Sequence, residues 1–234
     1  LTLMNARLNA WLEKPNGKEN ERAAENRSWW HRGPGLRYLV REFTASANEH
    51  LPYVNISDGG HIENLGVYEL LRRRCRYIVA IDGEADPRMT FHALTNLQRL
   101  AYIDMGIHID AELDELRLLE SGFSRSHFRF CKIRYPTGNG IQQWEIGYLL
   151  YVKLSLTGNE GEFLRRYRLD EPTFPHHSTA DQFFTETQFE AYRSLGEHIG
   201  DKLFMEAIIE ELAANPSVGV KEWMDKYAKN FMHQ

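Results

Sequence analysis

Ile56-Ser57-Asp58-Gly59-Gly60-His61-Ile62-Glu63-Asn64-Leu65-Gly66 joins a short apolar run, Tyr53-Val54-Asn55-Ile56, to a pattern with Val67, Leu70 and Leu71 on one helix face. A strand, a tight turn and a helix are the expected reading. The two glycines open backbone angles closed to other residues and let another segment approach closely. A carboxylate directly before them stands at a sheet edge, where α/β proteins place their chemistry. Asp58 is therefore the first candidate catalytic residue. Gly59, Gly60, His61 and Asn64 are its supporting turn, with Asp58 or Asn64 expected to cap a helix over 64–74.

Working outward, Tyr77-Ile78-Val79-Ala80-Ile81 has the unbroken apolar character of a buried parallel strand. Strand, helix and strand over about 30 residues predict a βαβ unit with a right-handed crossover. Phe91, Leu94, Leu97 and Leu100 predict a helix over 90–105. Residues 127–135 and 144–156 read as strands joined by Pro136-Thr137-Gly138-Asn139-Gly140, a late β-hairpin. Residues 185–214 and 219–231 read as C-terminal helices. Before the motif, Leu3, Ala6, Leu8, Trp11 and Leu12 predict an opening helix that ends near Lys14-Pro15-Asn16-Gly17. Leu36 to Phe43 suits a helix or a strand. The expected organisation is an N-terminal helix and irregular connector over 1–35, a main α/β part over 36–200 and a helical extension over 201–234. Leu at position 1, inside an uncapped helical pattern, reads as a segment of a longer protein.

Composition narrows the function classes. With 234 residues, 42% hydrophobic and 12% aromatic, the chain can bury a sizeable core. A net charge of −5 gives no general electrostatic case for nucleic-acid binding. No apolar run approaches the roughly 20 residues of a membrane-spanning helix. Two cysteines, Cys75 and Cys131, are expected as free thiols.

Several other clusters carry both a chemical and a structural reading. His61 and Glu63 beside Asp58 have the residue types of a Ser–His–Asp relay or a metal site, though no further ligand pair accompanies them. Packing of His61 at the helix start is the simpler account. Asp82, Glu84 and Asp86 alternate after the strand and could hold a hard cation, but they lack an EF-hand's glycine and closing Glu. A solvated strand-end loop is preferred, with Asp82 kept as site support. Arg72, Arg73, Arg74 and Arg76 read as complements to a helix C-terminus rather than a lipid headgroup site. His176, His177, Ser178 and Asp181 are too close in sequence to form a triad, and Ser178 or Thr179 reads as a helix cap. Trp29, Trp30, Trp223, Met224, Tyr227 and Phe231 read as core or helix-docking residues.

The run Ser57-Asp58-Gly59-Gly60-His61-x-Glu63-Asn64-Leu65-Gly66-x-Tyr68-Glu69-Leu70-Leu71-Arg72-Arg73-Arg74-Cys75, followed by the strand and Asp82, resembles the patatin-like phospholipases and the related cytosolic phospholipases. Phe174-Pro175-His176-His177-Ser178-Thr179-Ala180-Asp181-Gln182-Phe183-Phe184 and Phe189-Glu190-Ala191-Tyr192-Arg193-Ser194-Leu195-Gly196 extend the likeness across residues 33–198. The resemblance implies a partial three-layer α/β fold and a Ser–Asp dyad that hydrolyses acyl esters of lipids without a cofactor. Asp58 matches the dyad Asp. The family's serine lies in a G-x-S-x-G elbow, and this sequence contains none. Gly33-Pro34-Gly35 is a poor match for the oxyanion loop and sits too close to Asp58. The chain thus resembles the C-terminal part of such an enzyme, whose N-terminal half would carry the nucleophile. The implied partners are a lipid or acyl-ester substrate, that N-terminal half and a membrane surface, at a cytoplasmic or membrane-associated location. A non-catalytic lipid-binding module on a degenerate hydrolase scaffold, and a metal-dependent hydrolase using Asp58, His61 and Glu63, are the competing readings.

Overall fold

The computed structural model describes residues 9–14, 40–41, 44, 53–57, 59–138, 144–178, 180–181, 183–203, 222 and 224–225. They fall in two compact units, 1–62 and 63–234, each described by itself.

In the first unit β1 (Asn9–Glu13) pairs antiparallel with β2 (Tyr53–Ser57), with Trp11 opposite Asn55. The expected opening helix is thus a strand over its described part. Its apolar spacing fits a helix, but the backbone of β2 supplies a ladder partner, and such pairing overrides local pattern. Trp29 and Trp30 lie outside the described residues.

The second unit is a mixed α/β layer structure. It contains α1 (Tyr68–Arg72), β3 (Tyr77–Asp82), α2 (His92–Met105), β4 (His108–Asp110), β5 (Phe128–Pro136), β6 (Trp144–Lys153), α3 (Glu162–Asp170) and α4 (Glu186–Leu203). The sheet order is β3-β6-β5-β4. β3 runs parallel to β6, while β5 is antiparallel to both β6 and β4. The expected hairpin is β5–β6. The expected βαβ unit is corrected: β2 pairs with β1, and β2 and β3 lie in different sheets. The helix crossover instead comes one element later, as β3–α2–β4. Its two strands share a direction at opposite edges of the sheet, with the hairpin between them.

Alternation along the strands divides the core into two layers. Leu149 and Tyr151 of β6, with Cys131, Ile133 and Tyr135 of β5, pack with Leu71 of α1 and Leu94, Leu97 and Ala101 of α2. Leu150, Val152 and Phe130 face the other way, against Leu164 and Tyr167 of α3 and Ala191, Leu195, Ile199 and Leu203 of α4. Helices therefore cover both faces of the sheet, a three-layer arrangement. The central strand β6 must be apolar on both sides, hence the unbroken run Tyr148-Leu149-Leu150-Tyr151-Val152. Met224 is buried in the second cluster, in keeping with a core role. Helix α3 was not expected from the sequence. Only Leu164 and Tyr167 are buried along it, too few to make a visible period.

Both cysteines are free. Burial pushes the Cys131 thiol up to about 12, so it behaves as an inert core residue.

Candidate functional site: the cleft at the end of β3

Asp58 lies outside the described residues. Gly59-Gly60-His61 forms one 3₁₀ turn, and the Ile62 N–H donates to the Gly59 carbonyl at 2.9 Å. Gly59 and Gly60 are exposed, and a Cβ on Gly59 would meet nothing within 4 Å. Close approach of another segment at Gly59 is therefore not seen among the described residues.

Helix α1 is shorter than expected, and Asn64 is not its N-cap. Its N-cap position is Val67, which makes no side-chain capping bond. The carboxylate of buried Glu63 does that work. One oxygen accepts from the Leu65 N–H, and the other from Val67 at 2.9 Å and Tyr68 at 3.2 Å. Three otherwise orphaned backbone donors at a helix start are satisfied by one residue. Glu63 is thereby committed to its own loop. Asn64 is freed to reach across to Glu84, its Nδ2 lying 3.4 Å from Oε1.

At the carboxyl end of β3 a polar network ties three segments together. Asp82 is 2% exposed and pairs with Lys153 of β6, Oδ1 to Nζ 3.0 Å. The two residues are direct neighbours in the parallel ladder. The Tyr151 hydroxyl donates to the other carboxylate oxygen. Burial and the Asp82 charge both push the Tyr151 phenol well above its usual range, so it remains a donor. The Glu84 N–H donates to Asp82 Oδ1 at 2.8 Å, and Lys153 Nζ donates to the Glu84 carbonyl at 2.9 Å. The turn after the strand is thus fixed by the ion pair.

Glu84 and Asp86 each hold the start of α2. Glu84 Oε2 accepts from the Ala93 N–H at 3.2 Å. Asp86 accepts from the Phe91 N–H at 2.7 Å and the Thr90 hydroxyl at 3.0 Å. Burial disfavours the Asp86 anion, but these hydrogen bonds outweigh it and keep the carboxyl below its usual range. The expected solvated acidic loop is therefore a bracing network with Asp82 and Asp86 buried and Glu84 half-buried: each of the three carboxylates already has protein partners. The sequence could not show this, because Tyr151 and Lys153 lie 69 positions from their partners Asp82 and Glu84.

Beside the network lies an open cleft of about 480 Å³, lined by Asn64, Leu65, Ile81, Asp82, Gly83, Glu84, Ala85 and Ser178. A cleft outside the carboxyl end of a parallel strand is where open α/β sheets bind ligands. Its walls offer an amide, a hydroxyl and two carboxylates beside apolar Leu65 and Ile81. That combination suits a ligand with a polar head and an apolar body.

The segment 174–184 borders this cleft through Ser178. Phe174 is fully buried against Tyr167 and Tyr192. His177 Nδ1 lies 2.8 Å from the Tyr192 hydroxyl. The Asp86 N–H approaches His176 Nδ1 at 3.4 Å. Burial lowers the His176 pKa to about 4, with Lys153 next in effect. The expected cap from Ser178 is corrected, and Thr179 lies outside the described residues. Ser178 Oγ accepts from the Ala180 N–H, while Thr185 Oγ1 accepts from Gln188 N–H at 3.1 Å and opens α4. This segment docks α4 through Phe174 and is no triad.

The arginine cluster disperses. Arg72 and Arg73 both pair with Glu69, and Arg74 reaches the Pro136 carbonyl and Glu145. Arg76 approaches Asp225 at 3.7 Å. These contacts leave the headgroup reading without structural support.

Comparison with family models, curated proteins and solved structures gives no match. Among the described residues, no helix is long and apolar enough to cross a membrane.

Proposed function

We propose that this chain is the C-terminal part of a patatin-like serine hydrolase that cleaves carboxylic esters of lipids. The observation that carries the reading is the run from Ser57 to Cys75, with Asp82 ending the next strand, because it places Asp58 where that family has its dyad carboxylate. A helix-covered α/β sheet with a partly apolar cleft at its carboxyl end supports it.

In this mechanism the Asp58 carboxylate takes the proton of a serine hydroxyl as the oxygen attacks the ester carbonyl. It returns the proton to the departing alcohol. Water then repeats the cycle on the acyl-enzyme, releasing the fatty acid and regenerating both side chains. The serine and its oxyanion donors would come from the N-terminal half of the parent protein. Asn64 and Asp82 hold the walls of the cleft.

The test is ester hydrolysis by the full-length parent and its Asp58→Ala variant. The expected result is a loss of roughly 10²-fold or more in kcat, the scale of a general base, with the thermal midpoint retained. Undiminished hydrolysis in Asp58→Ala would remove the dyad. The 234-residue chain alone is expected to be inactive. A nitrophenyl ester cleaved by it, with loss on Asp58→Ala, would show that it carries its own nucleophile.

A further inference from the structure

On the opposite face of the sheet from α1 and α2, His127, Glu160 and His198 bring one ligand-type atom each to within 4.8 Å of one another. They come from three separate places. His127 directly precedes β5, and its carbonyl accepts the Lys153 N–H at the end of β6. Glu160 lies in the loop before α3, and His198 is on α4. His127 and Glu160 are each 3% exposed, and His198 is half-buried.

The hydrogen bonds define where the lone pairs are. Ser155 Oγ donates to the Lys153 carbonyl at 3.3 Å, so it accepts from His127 Nδ1, 3.0 Å away. In the tautomer that these contacts favour, Nδ1 carries the proton and Nε2 a lone pair. Metal-ligating histidines are held in this way, with the second ring nitrogen donating to a fixed oxygen. Nε2 lies 3.2 Å from Thr157 Oγ1. The same hydroxyl lies 2.8 Å from Asn159 Oδ1 and 3.2 Å from Glu160 Oε1. One hydroxyl proton cannot serve three acceptors. Asn159 Oδ1 also accepts from His198 Nε2 at 2.9 Å, which leaves Nδ1 as the ligand atom of that ring.

Glu160 is itself held firmly. The Thr157 N–H donates to Oε1 at 2.5 Å, and the Gly158 N–H to Oε2 at 2.9 Å. A carboxylate has about four acceptor positions, and these two backbone N–H groups fix its orientation. The ring of His198 stands edge-on to that of His127, with centroids 5.5 Å apart.

We propose that His127, Glu160 and His198 form a binding site for a divalent transition-metal ion of the zinc class, clamping α4 to the end of the β5–β6 hairpin. Two imidazoles and a carboxylate are the donor set that this class of ion prefers, and a hard cation such as magnesium does not. In a tetrahedral zinc site, ligand atoms are about 3.3 Å apart, given bonds of 2.0–2.1 Å. Metal binding would draw the three atoms in from their present spacing. Water fills the fourth position on the exposed side of His198. The site takes no part in the ester hydrolysis proposed above, and its test does not depend on that reading.

The experiment is a titration of the chelator-stripped 234-residue chain with zinc by calorimetry, with cobalt as a visible-absorption probe and magnesium as control. One equivalent of zinc is expected to bind and raise the thermal midpoint, with tetrahedral-type cobalt bands and no response to magnesium. His198→Gln, on the accessible side, and Glu160→Gln, which keeps the side-chain shape, are each expected to weaken zinc binding by roughly 10–100-fold or more. Absence of saturable zinc binding by the folded wild-type chain overturns the proposal. So does zinc affinity unchanged in both variants, which would assign binding to other histidines.

Discussion

Asp82 and Lys153 face each other across the parallel pair β3–β6 at 3.0 Å, with side chains 1% and 0% exposed. A buried pair of this kind is expensive to break from one side, because the surviving charge has no water to turn to. Lys153→Met is expected to destabilise the chain by roughly 3–5 kcal/mol, read from urea unfolding. Adding Asp82→Asn should recover part of that loss. A single-variant cost below about 1 kcal/mol, the level of an exposed pair, would mean that solvent reaches the site.

Acid should weaken the protein through His176. Its folded pKa is lowered by burial to about 4, below the ordinary 6.5. Between those values the unfolded chain binds a proton that the folded chain refuses. Stability from this group is therefore complete above pH 6.5 and is lost as pH falls toward 4. A shift of that size corresponds to roughly 3 kcal/mol. Urea midpoints measured between pH 7.5 and 4.5 should show this slope, and His176→Gln should make it shallower, with buried His127 supplying the remainder. The groups that face His176 are Lys153, Asp86 and Arg168, and Asp86 stays ionised through most of this window.

Glu63→Ala removes the acceptor for three backbone N–H groups at the start of α1. The expected cost is about 1–2 kcal/mol, at the upper end for a helix cap. Amide exchange should accelerate first at Leu65, Val67 and Tyr68. Glu63→Gln should retain part of the protection, since its amide oxygen can still accept.

Gly147 in β6 sits under the Tyr135 ring. A Cβ there would lie 2.8 Å from the ring edge and 3.0 Å from the Arg76 carbonyl. Tyr135 is buried, and its hydroxyl is bound to the Cys75 carbonyl, so the ring has no free direction of retreat. Gly147→Ala should cost roughly 1–3 kcal/mol by overpacking, measured as a fall in the urea midpoint. A neutral effect would show that Tyr135 has another rotamer to move into.

Local signals in the sequence carry part of the fold, and the features they leave out share a cause. The α/β class, the strand at Tyr77–Asp82, the β5–β6 hairpin and helix α2 all follow from period and turn chemistry close in sequence. Gly106, left-handed at φ 64, ends α2 in the way a glycine after a helical pattern predicts. What failed was pairing. Nothing near β2 announces β1 as its partner, and nothing near β3 announces β6. The candidate site divides in the same way. Asn64 and Asp82 line one cleft. The partners that make Asp82 structural, Tyr151 and Lys153, come from the far strand. The His127–Glu160–His198 cluster was invisible for the same reason, since no metal-ligand spacing links its members along the chain.

The inserted hairpin has a consequence for how the chain reaches this state. β5 and β6 meet through a short connection and can zip together on their own. β3 can join only after the whole stretch holding α2, β4 and the hairpin has closed on itself, and such distant contacts are slow to form. The strand that walls the cleft is thus expected to be the last to dock in refolding. Pulse-labelling exchange should show protection at Cys131 and Leu149, whose N–H groups bond within the hairpin, before protection at Ile78 and Ala80.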